Sequence, residues 1–455
     1  MLIRDFSGKR TAIWGLGREG WSTLTALRTE LPSLQLAVLN DTKPGEDDTD
    51  RLRGFGNIPL FTGEQVRERL LDFDVVIKSP GVSLYRREIG QAREKGVLFS
   101  SSTNIWFAER ADQTTVCITG TKGKSTTSSL IAHILSNAGR HCVLAGNIGV
   151  PVVSMLHGSA DVWVIEMSSY QAADFKGSPS ISLLLDLFPE HLDWHGSVDQ
   201  YYRDKLRVLA QTARGRCVIN AADPVTQGFR PVLEGSVTFN DSEGLHVEDG
   251  WIVDGGERLL PRERIGLPGD HNLSNICAAL TVVRLLGLPI EQALPALETF
   301  RPLAHRLTQV GEKNGVLYVD DSISTTPQST MEAIKAYPSR PITVLVGGFD
   351  RGLDFGGLAL FLIEHPVHAV VALPDSGKRI VEALLQTSAR KGDMPLPLIF
   401  EAQDLMEAVA EAETVTPPGG VILLSPASPS YGHFRDFVER GEGFIKAAGF
   451  AERAS

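Results

Sequence analysis

The chain has 455 residues, 42% of them hydrophobic and 22% charged, with a formal net charge of -11. It is too long for one hydrophobic core, so about three domains are expected, and its acidic balance argues against a general nucleic-acid binder, which needs basic surface to displace counterions. No apolar run approaches the roughly 20 residues of a membrane span, and the opening "MLIRDFSGKRTAIWGLG" lacks the apolar stretch of a secretory signal, so a cytoplasmic multi-domain enzyme is expected.

Strand-like and helix-like segments alternate nearly throughout, the pattern of α/β domains with parallel sheets. A first block, residues 1–106, contains "TAIWGLG", an amphipathic "GWSTLTALRTEL", "LQLAVLND" and "DFDVVIKSPG". Ligands of open α/β sheets bind at the carboxyl ends of the strands, so Gly15-Leu-Gly17-Arg18-Glu19-Gly20, Asp41-Thr42 and Ser79-Pro80-Gly81 should converge on one site. A second block, 107–301, opens at "TTVCITGTKGKSTTSSLIAHILSNAG", a strand, a Gly-rich loop and a helix closed by Gly139. It continues through "DVWVIEMSSYQ", "ISLLLDLFPEHLDWHG" and "RCVINAADP", then segments from about residue 236 to 260 that read as appended hairpins, then the helical "HNLSNICAALTVVRLLGL". A third block, 302–455, holds the strand-like "GVLYVDD", "PITVLVGG", "VHAVVAL", "LPLIF" and "GGVILLSP". Cys117, Cys142, Cys217 and Cys277 form no C-x-x-C pair and read as reduced core thiols.

"ITGTKGKSTT" places Gly120, Thr121, Lys122, Gly123, Lys124, Ser125 and Thr126 between an apolar strand and a helix. Glycines let backbone N–H groups turn towards phosphate oxygens, and the helix N-terminus adds partial positive charge. Lys124 reaches the β- and γ-phosphates, and the Ser125 hydroxyl suits Mg²⁺. Ile118 stands where the usual signature has its first glycine, so the match is to a variant. The competing reading is a polar turn that caps a helix. Glu166, ending "DVWVIE", reads alone as a solvated cap or ion-pair partner as readily as a ligand. His191 and His195 lie four residues apart, but the segment follows Pro189, no third ligand is evident, and a surface pair of histidines is the commoner case. Lys205 reads as an ordinary solvated helix lysine.

Taken together, GTKGKST, Gly146-Asn147-Ile148-Gly149, Glu166-Met-Ser168-Ser169-Tyr-Gln171, Glu190-His191-Leu-Asp193, Lys205, His271-Asn272-Leu-Ser-Asn275, His305-Arg306, Asp320-Asp321-Ser322 and "LLSPASPS" resemble, in order and over essentially the whole chain, the ATP-dependent Mur ligases of peptidoglycan synthesis. The folylpolyglutamate synthetases are relatives, but lack a Rossmann-like domain ahead of the phosphate loop. The resemblance implies an α/β fold of three domains: a Rossmann-like N-terminal domain, a central P-loop ATPase domain with a parallel sheet and a small antiparallel sheet, and a Rossmann-like C-terminal domain. It implies ATP and two Mg²⁺ sites, with Ser125 and Glu166 at one and His191 and a carbamylated Lys205 at the other. Asn275 would contact adenine, and Arg306 and Asp321 the γ-phosphate and ribose. Lys124, His191 and Lys205 would be the catalytic residues.

The same resemblance assigns Gly17, Arg18, Glu19, Asp41, Thr42, Ser79 and Gly81 to a uridine diphosphate carrier. Asn147, Ser168, Gln171 and His191 would hold the remainder of UDP-N-acetylmuramoyl-L-alanine, and Thr325, Arg351, Ser430 and Phe437 the incoming glutamate. Ile323 and Arg351 stand where the D-glutamate-adding ligases carry lysines, and "DDSISTTP" and "SPSYG" look most similar to the subgroup that adds L-glutamate, whose product a partner epimerase inverts. D-glutamate is the alternative, and a monomer is expected. Two readings of other classes remain. An NAD-dependent dehydrogenase explains GLGREG and Asp41, which lies about 20 residues beyond the turn, but leaves GTKGKST unexplained. A nucleotide-gated scaffold keeps both loops but has no need of Glu166, His191, Lys205 and Arg306 together.

Overall fold

The structure, a computed structural model, describes residues 1–229, 233–267, 269, 271–300, 304–350, 353–365, 367–392, 394–430 and 432–450. The chain divides into two compact units, Met1–Ile265 with His271–Phe300, and Gly266–Asp270 with Arg301–Ser455.

The first unit holds two parallel sheets. One comprises β1 (Thr11–Trp14), β2 (Leu36–Asn40), β3 (Leu60–Thr62), β4 (Val75–Lys78) and β5 (Leu98–Ser100) in the order β3-β2-β1-β4-β5. Chain direction in the sheet order reverses between β1 and β4, so the loops after these two strands open on one crevice. Gly20 lets the first helix pack down on this turn, since a Cβ there would lie 1.9 Å from the Gly15 carbonyl oxygen.

The other sheet comprises β6 (Thr115–Thr119), β7 (Cys142–Gly146), β8 (Val162–Glu166), β9 (Ile181–Leu184), β10 (Cys217–Asn220) and β11 (Val237–Phe239), in the order β11-β10-β9-β6-β8-β7. A small antiparallel sheet follows, of β12 (Leu245–Glu248), β13 (Trp251–Asp254) and β14 (Glu257–Pro261). The expected hairpins therefore begin later than residue 236: Val237–Phe239 joins the parallel sheet beside β10, with Phe239 fully buried. One apolar cluster runs from Ile13 and Ile77 of the first sheet to Cys117 and Ile165 of the second. At its middle Trp106 and Trp163 meet edge to face, with centroids 4.9 Å apart. This shared core is why the first two predicted blocks form one compact unit.

The second unit is built on β15 (Thr308–Lys313), β16 (Val316–Asp320), β17 (Ile342–Gly348), β18 (Val367–Asp375), β19 (Leu398–Glu401) and β20 (Val421–Leu424), in the order β15-β16-β20-β17-β18-β19. All pairings are parallel except β15 with β16. The antiparallel edge strand β15 precedes "GVLYVDD", the segment with which the third block was expected to begin. "TQVGEK" is polar and only half-buried, as an edge strand can be. Among the described residues no helix is long and apolar enough to cross a membrane.

Candidate active site

β6 is wholly buried and delivers the chain to Gly120 (φ 141°) and Gly123 (φ 79°), after which the helix Lys124–Asn137 begins. A Cβ on Gly123 would lie 2.5 Å from the Asn275 side-chain oxygen, so the loop and Asn275 are in close contact. The segment after β9 braces the loop: Thr121 N–H donates to the Asp186 carbonyl (2.8 Å), and Thr121 Oγ1 to that of Phe188 (3.0 Å). Lys124 Nζ lies over the loop, donating to the Gly120 and Thr121 carbonyls at 3.1 and 2.8 Å. Lys122 Nζ pairs with Glu190 at 2.6 Å. Burial works against the Glu190 charge, yet Lys122, with Lys124 and His191 behind it, holds this carboxyl below its ordinary range.

Glu166 ends β8 beside the loop and is buried. Its Oε1 accepts from Asn147 Nδ2 at 2.6 Å, whereas Oε2 is buried with no hydrogen-bond partner among the described residues. A buried carboxylate oxygen without a donor is costly to leave uncompensated. A hard cation with oxygen ligands is the chemistry that satisfies it, and the Ser125 hydroxyl, in the first turn of the helix after the phosphate loop, is a further oxygen of that kind. The residues therefore fit Mg²⁺.

Lys205 lies on the helix Val198–Ala210 and is fully buried, correcting its reading as a solvated surface lysine. Its Nζ donates to the Gly120 carbonyl at 2.6 Å and sits 4.9 Å from the Tyr201 ring centroid. Burial, reinforced by the positive charges of Lys124 and Lys122, holds this amine well below the ordinary lysine range, with Glu190 and Glu166 opposing. His191 adopts a left-handed backbone (φ 55°) at the start of the short helix Leu192–His195 and is partly exposed. His195 is not its surface companion. It is buried, with Nδ1 2.6 Å from Asp204 and Nε2 3.0 Å from Ser169 Oγ, which commits both ring nitrogens.

The crevice of the first sheet is tied to this site. Arg18 donates to the carbonyls of Gly149, Gly146 and Asn147 at 2.9, 3.2 and 2.7 Å. Glu19 accepts from Ser102 and from Gln171 Nε2, and burial raises its carboxyl above the ordinary range. Ser168 and Gln171 form a reciprocal capping box. Gly17 caps the helix Arg18–Glu30, and the Ser79 hydroxyl donates to the Gly15 carbonyl at 2.9 Å. Asp41 takes both guanidinium nitrogens of Arg86 (2.9 and 2.7 Å), while neighbouring Thr42 is exposed. The Gly81 carbonyl accepts from Trp194.

In the second unit Asp321 is buried between Ser425 Oγ and the Leu307 N–H, at 2.8 and 3.2 Å, and burial lifts its carboxyl to about 6. Arg306 has a buried Nε with no hydrogen-bond partner among the described residues, and its charge acts on Asp321. Arg440, fully buried, donates to the Ser322 hydroxyl and carbonyl and to the Ser428 carbonyl (3.0, 2.7 and 3.0 Å), and Ser322 Oγ donates to the Phe437 carbonyl. One guanidinium thus joins the Asp320-Asp321-Ser322 turn to the Phe437 helix and to the strand end leading to Ser430. Ser430 lines a cavity of about 410 Å³ with Gly347, Gly348, His433, Arg440 and Lys446. Thr325 is half-buried nearby in sequence, and Arg351 lies outside the described residues.

The Mur ligase middle domain family matches residues 118–283, and the Mur ligase MurD-like, N-terminal domain family matches residues 9–100. A "UDP-N-acetylmuramoyl-L-alanine--L-glutamate ligase" of Xanthomonas euvesicatoria pv. vesicatoria is 39% identical, with the alignment covering 99% of this chain and 97% of the relative. The chain belongs to the Mur ligase family. A second relative of the same name, from Micromonospora sp., is 40% identical over 98% of both chains. At the level of fold, this Mur ligase is similar to the UDP-N-acetylmuramate-alanine ligase MurC of Thermotoga maritima (TM-score 0.59, 22% identity, 96% of this chain and 98% of that one). It is likewise similar to the MurF ligase of Thermotoga maritima in complex with ADP (TM-score 0.58, 16% identity, 96% and 93%). The fold class is the three-domain α/β arrangement of that family, with its N- and C-terminal Rossmann-like domains.

Sequence reasoning gave no role to Glu190, Trp194, Asp204 or Arg440 of this Mur ligase. Glu190 stood inside a quoted motif, and its Lys122 partner lies 68 residues away. Nothing in "FVERGEGF" distinguishes Arg440 from a solvated helix charge, because its partners are all brought in by the fold.

Proposed function

We propose that this Mur ligase joins L-glutamate to UDP-N-acetylmuramoyl-L-alanine at the expense of ATP, yielding an amide, ADP and phosphate. The ligase chemistry is supported foremost by the buried Lys205 amine held against the phosphate loop, with Lys124, Glu190 and the open oxygen of Glu166 around it. The choice of L-glutamate rests on the full-length likeness to relatives bearing that name. Residues 1–106 would hold the carrier nucleotide, 107–301 ATP, and 302–455 glutamate.

The alanine carboxylate attacks the γ-phosphorus of ATP and ADP leaves. The glutamate amine then attacks the acyl phosphate carbon, and phosphate departs as the amide forms. Lys124, released from its carbonyls, neutralises γ-phosphoryl charge as it moves, which is where positioning and electrostatics supply most of the rate. Ser125 and Glu166 would hold one Mg²⁺, which when bound offsets phosphate charge. The uncharged Lys205 amine is the form that adds to CO₂: its lone pair makes the N–C bond, and a proton is lost. The resulting carbamate converts a donor into an oxygen ligand, and with His191 it would hold the second Mg²⁺. Asn275 contacts adenine, Arg306 and Asp321 the γ-phosphate and ribose, and Thr325, Arg351, Ser430 and Phe437 the glutamate. The protein acts as a cytoplasmic monomer, and an epimerase inverts the product's glutamate.

The test is phosphate release with UDP-N-acetylmuramoyl-L-alanine and each glutamate enantiomer. Turnover with L-glutamate is expected, turnover with D-glutamate alone rejects the stereochemical assignment, and no release with either rejects the reaction.

A further inference from the structure

Trp194 is buried three residues beyond His191, and its links run in two directions. Its indole N–H is shared between the Pro80 and Gly81 carbonyls at 3.1 and 3.2 Å, and the Ser83 hydroxyl donates back to the Trp194 carbonyl at 2.7 Å. Those carbonyls belong to the loop after β4, at the crevice of the first sheet. On the other side, the Trp194 and His195 N–H groups both donate to the His191 carbonyl, at 3.1 Å each, fixing the left-handed residue that presents the His191 ring. Tyr170 stacks on the indole (4.8 Å, 26°) and also lies 4.9 Å from the His191 ring. A second link runs in parallel: the Tyr85 hydroxyl donates to Asp204 at 2.6 Å, and Asp204 also holds His195 and directly precedes Lys205. A four-residue helix cannot sustain itself, so the geometry of residues 191–195 is set by these tertiary bonds.

We infer that Trp194 is a positioning residue that makes the carrier-nucleotide loop and the phosphate-transfer residues one mechanical element. When the Ser79–Gly81 loop closes on a uridine diphosphate, the indole shifts with the Pro80 and Gly81 carbonyls, and the His191 backbone and the Asp204–Lys205 turn follow. Binding of the carrier substrate and of ATP is therefore coupled, and by linkage each tightens the other by the same factor. This rests on the proposed function for the identity of the two ligands.

The experiment is calorimetric titration of the full chain with a non-hydrolysable ATP analogue and Mg²⁺, with and without saturating UDP-N-acetylmuramoyl-L-alanine. The wild type should bind the analogue about tenfold more tightly in its presence, the size expected of one or two hydrogen bonds. Trp194→Phe keeps the stacked ring, the Ser83 bond to the backbone carbonyl and the Tyr85–Asp204 link but loses the indole N–H, and should lower that ratio to about threefold or less. A merely structural defect shifts both dissociation constants and leaves their ratio intact. An uncoupled wild type, or a Trp194→Phe variant that keeps the ratio, overturns the inference. Should that variant not fold, Ser83→Ala removes the reciprocal bond, and a ratio unchanged from wild type there is equally decisive. Failure of the proposed reaction would appear separately, as absence of phosphate release by the wild type.

Discussion

At the scale of single residues, the outcome turns on charges that burial disfavours. Lys205, within "YYRDKLRVL", carries no local mark of its burial; only the fold sets its amine against the Gly120 carbonyl, under the charges of Lys124 and Lys122. Glu166 was legible as a strand-end carboxylate, but not that Asn147 takes one of its oxygens while the other is buried without a hydrogen-bond partner among the described residues. We expect Lys205→Ala to lower ligation at least about a hundredfold, the cost of one misplaced charge-stabilising group. Lys205→Arg, whose guanidinium stays protonated, should not be rescued by added bicarbonate; a phosphate-release assay across bicarbonate concentrations measures both. Asp321 makes a second case. Its folded pKa, about 6, lies above the ordinary 3.8, so the folded state holds a proton that the unfolded state has released. Stability therefore falls as pH rises from about 4 to about 6 and is flat beyond, by about 3 kcal/mol in all for this buried group. Asp321→Asn removes that loss. Its denaturation midpoint should exceed the wild type's at pH 7.5 and approach it at pH 4.5.

At the scale of elements, strands with continuous apolar runs were legible because both faces are buried, as in β1, β6, β8 and β20. β3, β5 and β15 were not, being short or half-exposed edge strands whose residues carry little hydrophobic pattern. The phosphate loop was legible as a motif, but its grip on Asn275, about 150 residues on in the sequence, was not. Gly123→Ala tests that contact. The residue adopts φ 79°, and the added methyl would lie 2.5 Å from the Asn275 oxygen, so backbone strain and a displaced Asn275 arrive together. Strain of about 1–3 kcal/mol should lower the melting temperature by several degrees. ADP affinity should fall at least about tenfold by calorimetry, because the N–H groups that would meet phosphate are moved with the loop.

At the scale of the whole molecule, three α/β blocks, each with its own main sheet, were foreseeable from the alternation of elements, but the strand orders and the grouping of the first two blocks were not. It depends on which faces carry Trp106, Trp163, Ile13 and Ile165, and no local pattern says that a face is covered by another sheet's residues rather than by its own helices. Proteins assembled from detachable modules can exchange them in evolution or on the bench. Here residues 1–106 are not detachable in that sense, since removing them uncovers the side of Trp163 on which Trp106 packs and the rest of the apolar face that the two sheets share. A chain beginning at residue 107 should therefore be recovered mainly as aggregate, with little monomer on size-exclusion chromatography, and well-behaved monomer would contradict the shared core. An N-terminal domain grafted from a relative would fold into this protein only if it brought a matching apolar face, so exchange of that domain is tied to inheritance of that face.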